Sequence, residues 1–275
     1  MTENDIIEHV DCRKMVGLPY QRLMGIMSLE SDIAAMRTID GMKDEARRYY
    51  INTVNADKLI SRLAEKKEVL DVMEITEVNR QLLKGTMMDE EGGRYRRSGH
   101  ASIVGGGYPI PSFEHLPRLM AEFIKIQKSL ANKLVCKQPS DYIDELLTVV
   151  AFSHYGLSRI HPFVDGNGRT ARLISEVFLR WCGMTLPWYD VSDRRTYLDA
   201  LMETDKKRIT APLEKFIALA IIQHCEKHKT GNKGNDENAN SIRSWLENRL
   251  PLKSISKHSW DYLWPALDSN LFNHS

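Results

Sequence analysis

His161-Pro162-Phe163-Val164-Asp165-Gly166-Asn167-Gly168-Arg169-Thr170-Ala171-Arg172 is the stretch that decides how this chain is read. An apolar segment, Leu146 to Ile160, runs up to it, and another, Leu173 to Trp181, runs away from it. In the second, Leu173, Val177 and Trp181 recur at helical spacing, as do Ile174 and Phe178. The stretch is therefore a loop that opens directly into a helix. The first N–H groups of a helix have no partner inside it and carry the positive end of its dipole, so they attract anions. Gly166 and Gly168 let the backbone approach a bulky anion closely. Arg169 and Arg172 lie three apart, close to one helical face, where both could reach the same polyphosphate. Asp165 supplies a hard oxygen suited to Mg²⁺, the usual companion of such an anion. His161, just ahead of the loop, titrates near neutrality by default, as a general base should. Together these residues point to phosphoryl or nucleotidyl transfer.

The pattern H-P-F-V-D-G-N-G-R-T-A-R resembles, without a departure, the H-x-F-x-(D/E)-G-N-G-R-x-x-R signature of Fic-domain proteins. The resemblance is sharp at 161–172 and extends more faintly over about residues 20–225. It implies a mainly α-helical, all-α fold with a short β-hairpin flap. It also implies transfer of AMP from ATP, with Mg²⁺, to a hydroxyl side chain (Ser, Thr or Tyr) of a target protein. In that scheme His161 is the base, Asp165 holds Mg²⁺, and Gly166, Asn167 and Gly168 face the α-phosphate. Arg169 and Arg172 take the β- and γ-phosphates.

The balance of 38 Lys+Arg against 37 Asp+Glu gives no field favouring nucleic acid. No apolar run approaches the length of a membrane span, and the polar, acidic start MTENDIIEH argues against a secretory signal. The four cysteines, Cys12, Cys136, Cys182 and Cys225, are widely spaced and form no metal pattern. A cytoplasmic protein with reduced thiols is expected. The expected partners are a protein substrate, the chain itself as a target of self-AMPylation, and a second copy in a homodimer; neither nucleic acid nor membrane is expected.

Upstream of the stretch, residues 1–20 read as a loosely tied arm, and helix-favouring sequence follows from Tyr20 to about Lys84, with Gly25 and Gly41 as weak points. Within it, Asp57 to Lys66 reads as a separate helix. Many Fic proteins carry an inhibitory helix with S/T-x-x-x-E-G/N, whose glutamate pairs with the last arginine of the main motif. Ser61-Arg62-Leu63-Ala64-Glu65-Lys66 resembles it, apart from Lys66. Glu65 paired with Arg172 would occupy the place of a terminal phosphate. Arg243-Ser244-Trp245-Leu246-Glu247-Asn248 resembles the C-terminal form of that motif, with Arg243 where Ser or Thr is expected. Glu65 is preferred over Glu247, because its motif keeps the serine and has matching flanks, including Asn79 in the segment that follows.

Gly85 to Ser112 is rich in glycine and reads as a loop region containing a short strand, His100 to Val104, before the turn Gly105-Gly106-Gly107. Gly93-x-x-Arg96 and this segment resemble the family's flap, which binds its target by strand addition; Ser102, Ile103 and Val104 would be the docking edge. Phe113 to Leu130 is an amphipathic helix, and Ser140 or Asp141 can cap the next one, up to Ser158. His154 on that helix reads as a core or wall residue. Downstream, Arg194 to Glu203 and Pro212 to Lys227 read as helices. Tyr197 resembles the family tyrosine that walls the adenine pocket, and an aromatic ring offers a flat face to a purine. The polar run Gly231 to Asn240 reads as a linker, followed by a helix from Ile242 to Leu250.

The expected organisation is an N-terminal helical region (1–90), a core with flap and active-site loop (91–228), a linker (229–241) and a helical tail (242–275). Two rivals stay open. One is another reaction on the same fold: kinase-like phosphorylation, phosphocholine transfer or removal of AMP. The intact Gly166-Asn167-Gly168-Arg169 argues against the kinase-like branch. The other is a nucleotide-binding regulatory protein without turnover, which the complete His161/Asp165 pair disfavours.

Overall fold

The apolar segment leading to the central stretch has no polar face, so it must be covered on all sides. In a computed structural model, which describes residues 42–98, 110–135, 142–184, 194–227 and 233–248, this is what happens. We number the α-helices in chain order. Helix α4 (Ile143–Ile160) is buried along nearly its whole length. It packs most closely on α5 (Asn167–Trp181), whose first three turns are buried as well. Around this pair lie α1 (Met42–Glu65), α2 (Val72–Leu83), α3 (Leu116–Val135), α6 (Arg194–Lys207), α7 (Ala211–Lys227) and α8 (Lys233–Asn248). Short 3₁₀ turns at Asp89–Glu91 and Phe113–His115 join α2 to α3. The fold is all-α. Among the described residues β pairing is limited to one isolated antiparallel bridge between Tyr95 and Phe163. Ser102, Ile103 and Val104, where the flap is expected, lie outside the described residues, as do the arm at 1–20 and the tail beyond Asn248.

The helices around the site are tied by specific polar contacts. Helix α2 begins with a capping box: Asp71 Oδ1 accepts from the Glu74 amide at 2.8 Å, and Glu74 Oε2 accepts from the Asp71 amide at 3.0 Å. At its far end Asn52 of α1 donates to the carbonyls of Leu82 (3.2 Å) and Lys84 (2.7 Å), which a helix end would otherwise leave unpaired. Ile75, Val78, Asn79, Leu82 and Leu83 form the buried face of α2. Phe123 of α3 stacks on Phe152 of α4 with ring centroids 5.4 Å apart.

Two expectations are corrected. Asp57 does not start a separate helix: α1 runs unbroken from Met42 to Glu65, and the Asp57 carboxylate pairs with Arg180 of α5 at 2.5 Å instead of capping. The run 229–241 is not a linker throughout, since α8 already begins at Lys233. That helix packs on α7 and α4, with Ile242 buried and the Trp245 indole donating to Asp144. Among the described residues no helix is long and apolar enough to cross a membrane.

Candidate active site

Helix α4 ends at Ile160, and the next residue turns the chain. His161 adopts a left-handed conformation (φ 52°, ψ 57°), with its amide bonded to the Leu157 carbonyl at 3.0 Å. For a residue with a Cβ this conformation is disfavoured by about 1–2 kcal/mol, so the surroundings must hold it. Arg96 does so from outside the helix pair. Its Nε donates to the His161 carbonyl at 2.8 Å, and its backbone N–H donates to the Pro162 carbonyl at 2.9 Å. The imidazole Nδ1 lies 3.3 Å from the Ser158 carbonyl. A carbonyl can only accept, so Nδ1 carries the proton and Nε2 holds the free lone pair. Burial pushes the His161 pKa down to about 4, outweighing the Ser158 contact. The imidazole is therefore neutral at physiological pH.

The loop is closed by its own asparagine. Asn167 Oδ1 accepts from the Phe163 amide at 2.9 Å, and Nδ2 donates to the Phe163 carbonyl at 2.8 Å. This side chain was expected to face the α-phosphate; it is instead buried and holds the loop's shape. Gly166 is the N-cap of α5 and needs its lack of a side chain twice. Its φ is +76°, and an added Cβ would stand 3.0 Å from Asn79 Nδ2. Gly168 has no such backbone demand; a Cβ there would only touch the Arg172 guanidinium, at 3.5 Å.

The two arginines are nearly enclosed, at 3% and 4% exposure for Arg169 and Arg172. Arg169 pairs with Asp165 Oδ2 at 2.9 Å and lies 4.4 Å from the centroid of the Tyr49 ring of α1. Its Nε is buried with no hydrogen-bond partner among the described residues, an open donor beside a helix N-terminus. The Asp165 side chain is 38% exposed and can reach a ligand from solvent. Among the described residues no group of three or more His, Cys, Asp or Glu could hold a metal unaided. One hard carboxylate fits Mg²⁺ that arrives with phosphate oxygens and waters completing its shell.

Two sequence-predicted residues fall elsewhere. Tyr197 is buried, its hydroxyl 2.6 Å from His154 Nε2 and its ring set between His154 (5.6 Å) and Phe216 (5.7 Å). It presents no open face to a purine; it joins α6 to His154 of α4 and Phe216 of α7. Glu65 is exposed at the last residue of α1. Tyr49 meets Arg169 and Asp57 meets Arg180, so α1 runs parallel to α5. At 1.5 Å per residue that register leaves Glu65 on the order of 20 Å along the axis from Arg172. In this arrangement Glu65 therefore does not meet Arg172, where a pairing was expected. Glu247 fares no better: α8 meets α4 through Trp245 and Asp144, at the opposite end of α4 from His161.

Two supporting residues had no claim to the site from spacing. Asn79 is fully buried and binds three ways. Its Nδ2 donates to the Asp165 carbonyl (3.0 Å) and to Thr170 Oγ1 (3.2 Å), and its Oδ1 accepts from the Gly93 amide (2.9 Å). Arg96 is the other.

Comparison with known proteins agrees with this geometry. Residues 69–179 match the model of the Fic/DOC family. The protein adenylyltransferase Fic of Nematostella vectensis is 30% identical over 175 residues, which are 64% of this chain and 36% of that protein. Its namesake in Aedes aegypti is 30% identical over 196 residues, 71% of this chain and 36% of that protein. The chain thus spans about a third of the length of the curated relatives it matches. A Fic-domain-containing signaling protein of Bacteroides thetaiotaomicron superposes with a TM-score of 0.54 at 21% identity, over 72% of this chain and 73% of that one. Fic-1 of C. elegans superposes with a TM-score of 0.57 at 19% identity, over 89% of this chain and 70% of that one. These structures speak for the fold, and the family match covers α2 and every residue of the loop from His161 to Arg172. Residues 69–179 thus carry a domain that matches the Fic/DOC family.

Proposed function

We propose that the chain is a protein adenylyltransferase, moving AMP from ATP to a hydroxyl side chain of a target protein. The observation that carries this reading is the neutral imidazole of His161 standing at the mouth of a glycine-capped helix that begins with two enclosed arginines. The target hydroxyl attacks the α-phosphorus, and His161 Nε2 takes its proton as the new P–O bond forms. The bond to pyrophosphate breaks on the far side. The N–H groups at the start of α5 stabilise charge on the α-phosphate, and Arg169 and Arg172 hold the departing phosphates. Asp165 would hold Mg²⁺, which supplies charge neutralisation on the phosphates.

The names of the relatives support protein as the acceptor, and a hydroxyl of the chain itself qualifies on the same chemistry. Docking along Ser102, Ile103 and Val104, assembly as a homodimer and a cytoplasmic setting belong to the same proposal. The widely spaced cysteines support the last of these. The test is transfer of label from α-labelled ATP to protein. His161→Ala should keep nucleotide affinity and abolish transfer, because the phosphate contacts lie on α5. Transfer surviving within about tenfold of wild type would rule out this role for the histidine.

A further inference from the structure

The turn at His161 is held from outside the helix pair by a buried arginine. Arg96 is 2% exposed, and every polar contact it makes is to a main-chain carbonyl. Nε reaches His161, the backbone N–H reaches Pro162, one terminal nitrogen reaches Ser98 at 3.2 Å, and the other reaches Pro111. A guanidinium has five donors in a fixed plane, so the side chain fixes three of these points in relation to each other, and the backbone N–H adds the fourth. Two belong to the active-site loop, and the other two are Ser98 and Pro111, both within the segment between the Tyr95 bridge and α3. Tyr95 adds a ring contact with Phe163 at 6.3 Å, so the neighbour of Arg96 seats against the same loop.

We infer that Arg96 is a positioning residue: it holds His161 in its left-handed turn by the main-chain carbonyl, and so aims Nε2 at the acceptor hydroxyl. The reason is geometric. A left-handed histidine is disfavoured in isolation. Its amide is already committed to Leu157, and its carbonyl is the atom that a helical continuation would bond elsewhere. Fixing that carbonyl fixes ψ, and ψ sets where the next residues of the loop begin. The phosphate-binding groups do not depend on Arg96, since Asn79, Asn167 and the Asp165–Arg169 pair hold them from the other side. Loss of Arg96 should therefore uncouple the base from an otherwise intact nucleotide site.

This inference rests on His161 being the base, so His161→Ala is the control throughout. The measurements are kcat for label transfer, Kd for ATP, and the urea midpoint, for Arg96→Lys and Arg96→Gln. Lysine can satisfy one or two of the carbonyls but not all at fixed angles, and glutamine keeps a planar donor without charge. The expected result is a fall in kcat of about a hundredfold, the scale of a misplacement near 1 Å, with Kd for ATP within about threefold of wild type. Lysine should rescue part of the loss relative to glutamine. Unchanged kcat would overturn the inference, and so would a parallel loss of kcat and ATP affinity, which is the mark of general damage. If neither variant folds, Arg96 serves the fold alone and the inference also fails. If His161→Ala itself retains transfer, the catalytic reading fails first, and the Arg96 result is then judged by ATP affinity: a loss there would make Arg96 a support of the nucleotide site instead.

Discussion

Asn79→Ala tests whether the turn before α5 is held from outside the loop. The amide ties three otherwise separate pieces of chain: the Asp165 carbonyl, the Thr170 hydroxyl and the Gly93 amide, at 3.0, 3.2 and 2.9 Å. Each such bond is worth about 1 kcal/mol net, so their removal costs about 3 kcal/mol. The Gly93 N–H and the Asp165 carbonyl are then left partly buried without that partner, which adds about 1 kcal/mol more. A loss near 4 kcal/mol is large against total stabilities of about 5–15 kcal/mol, yet most domains would survive it. Urea unfolding monitored by tryptophan fluorescence measures this term. Isothermal titration with a non-hydrolysable ATP analogue measures the local one. Because Asp165 and Gly166 set the start of α5, nucleotide affinity should fall at least about tenfold, which corresponds to 1.4 kcal/mol. Asn79→Asp keeps the acceptor for Gly93 and loses both donors, so its stability should lie between alanine and wild type or below alanine if the new charge crowds Asp165. A stability loss under about 1 kcal/mol together with unchanged affinity for Asn79→Ala would refute the reasoning.

Gly166→Ala should lose about 1–2 kcal/mol from the left-handed backbone alone, and more from the contact with Asn79, read as a lower urea midpoint with weaker nucleotide binding. Acid should destabilise the chain before its carboxylates titrate. His154 is pushed down to about 3, by burial first and by Arg172 second, and His161 to about 4. Both folded values lie below the ordinary histidine value, so the unfolded chain binds protons first as pH falls. Stability is then complete above about pH 6.5 and declines by up to about 2.7 kcal/mol per pH unit toward pH 4; a flat urea midpoint between pH 7 and pH 5 would contradict it. Glu65→Gly should leave label transfer within about twofold of wild type, because the glutamate stands at the far end of α1, and strong activation would show that α1 can reach Arg172.

The helices were legible where a breaker or an apolar period marked them. Gly166 stands at the start of α5, and the run from Pro212 to Lys227 gave α7 to within a residue. What misled was local polarity. Asp57 reads as the start of a separate helix, but α1 continues through it and the carboxylate pairs with Arg180 of α5. The Asn- and Gly-bearing run after Lys227 has the composition of a linker, yet α8 forms there, with packing on Ile242 and Trp245 overriding weak intrinsic propensity.

At the site, the contrast is between groups that act and groups that hold. The residues proposed to act lie within one turn and one helix start, so their spacing alone brings His161, Asp165, Arg169 and Arg172 into one loop and helix start. The holding residues act across large separations: Asn79 lies 86 positions from Asp165, and Arg96 lies 65 from His161. Their partners are mostly main-chain atoms, which carry no sequence identity, so the resemblance marked Asn79 and Arg96 as neighbours of other motifs without showing that they hold this loop. Glu65 shows the converse error. A motif can be present in letters while the direction of its helix carries it away from its partner. Whether a carboxylate meets an arginine is decided by the packing of α1 against α5, here by Tyr49 on Arg169 and Asp57 on Arg180, and only the fold reveals that register.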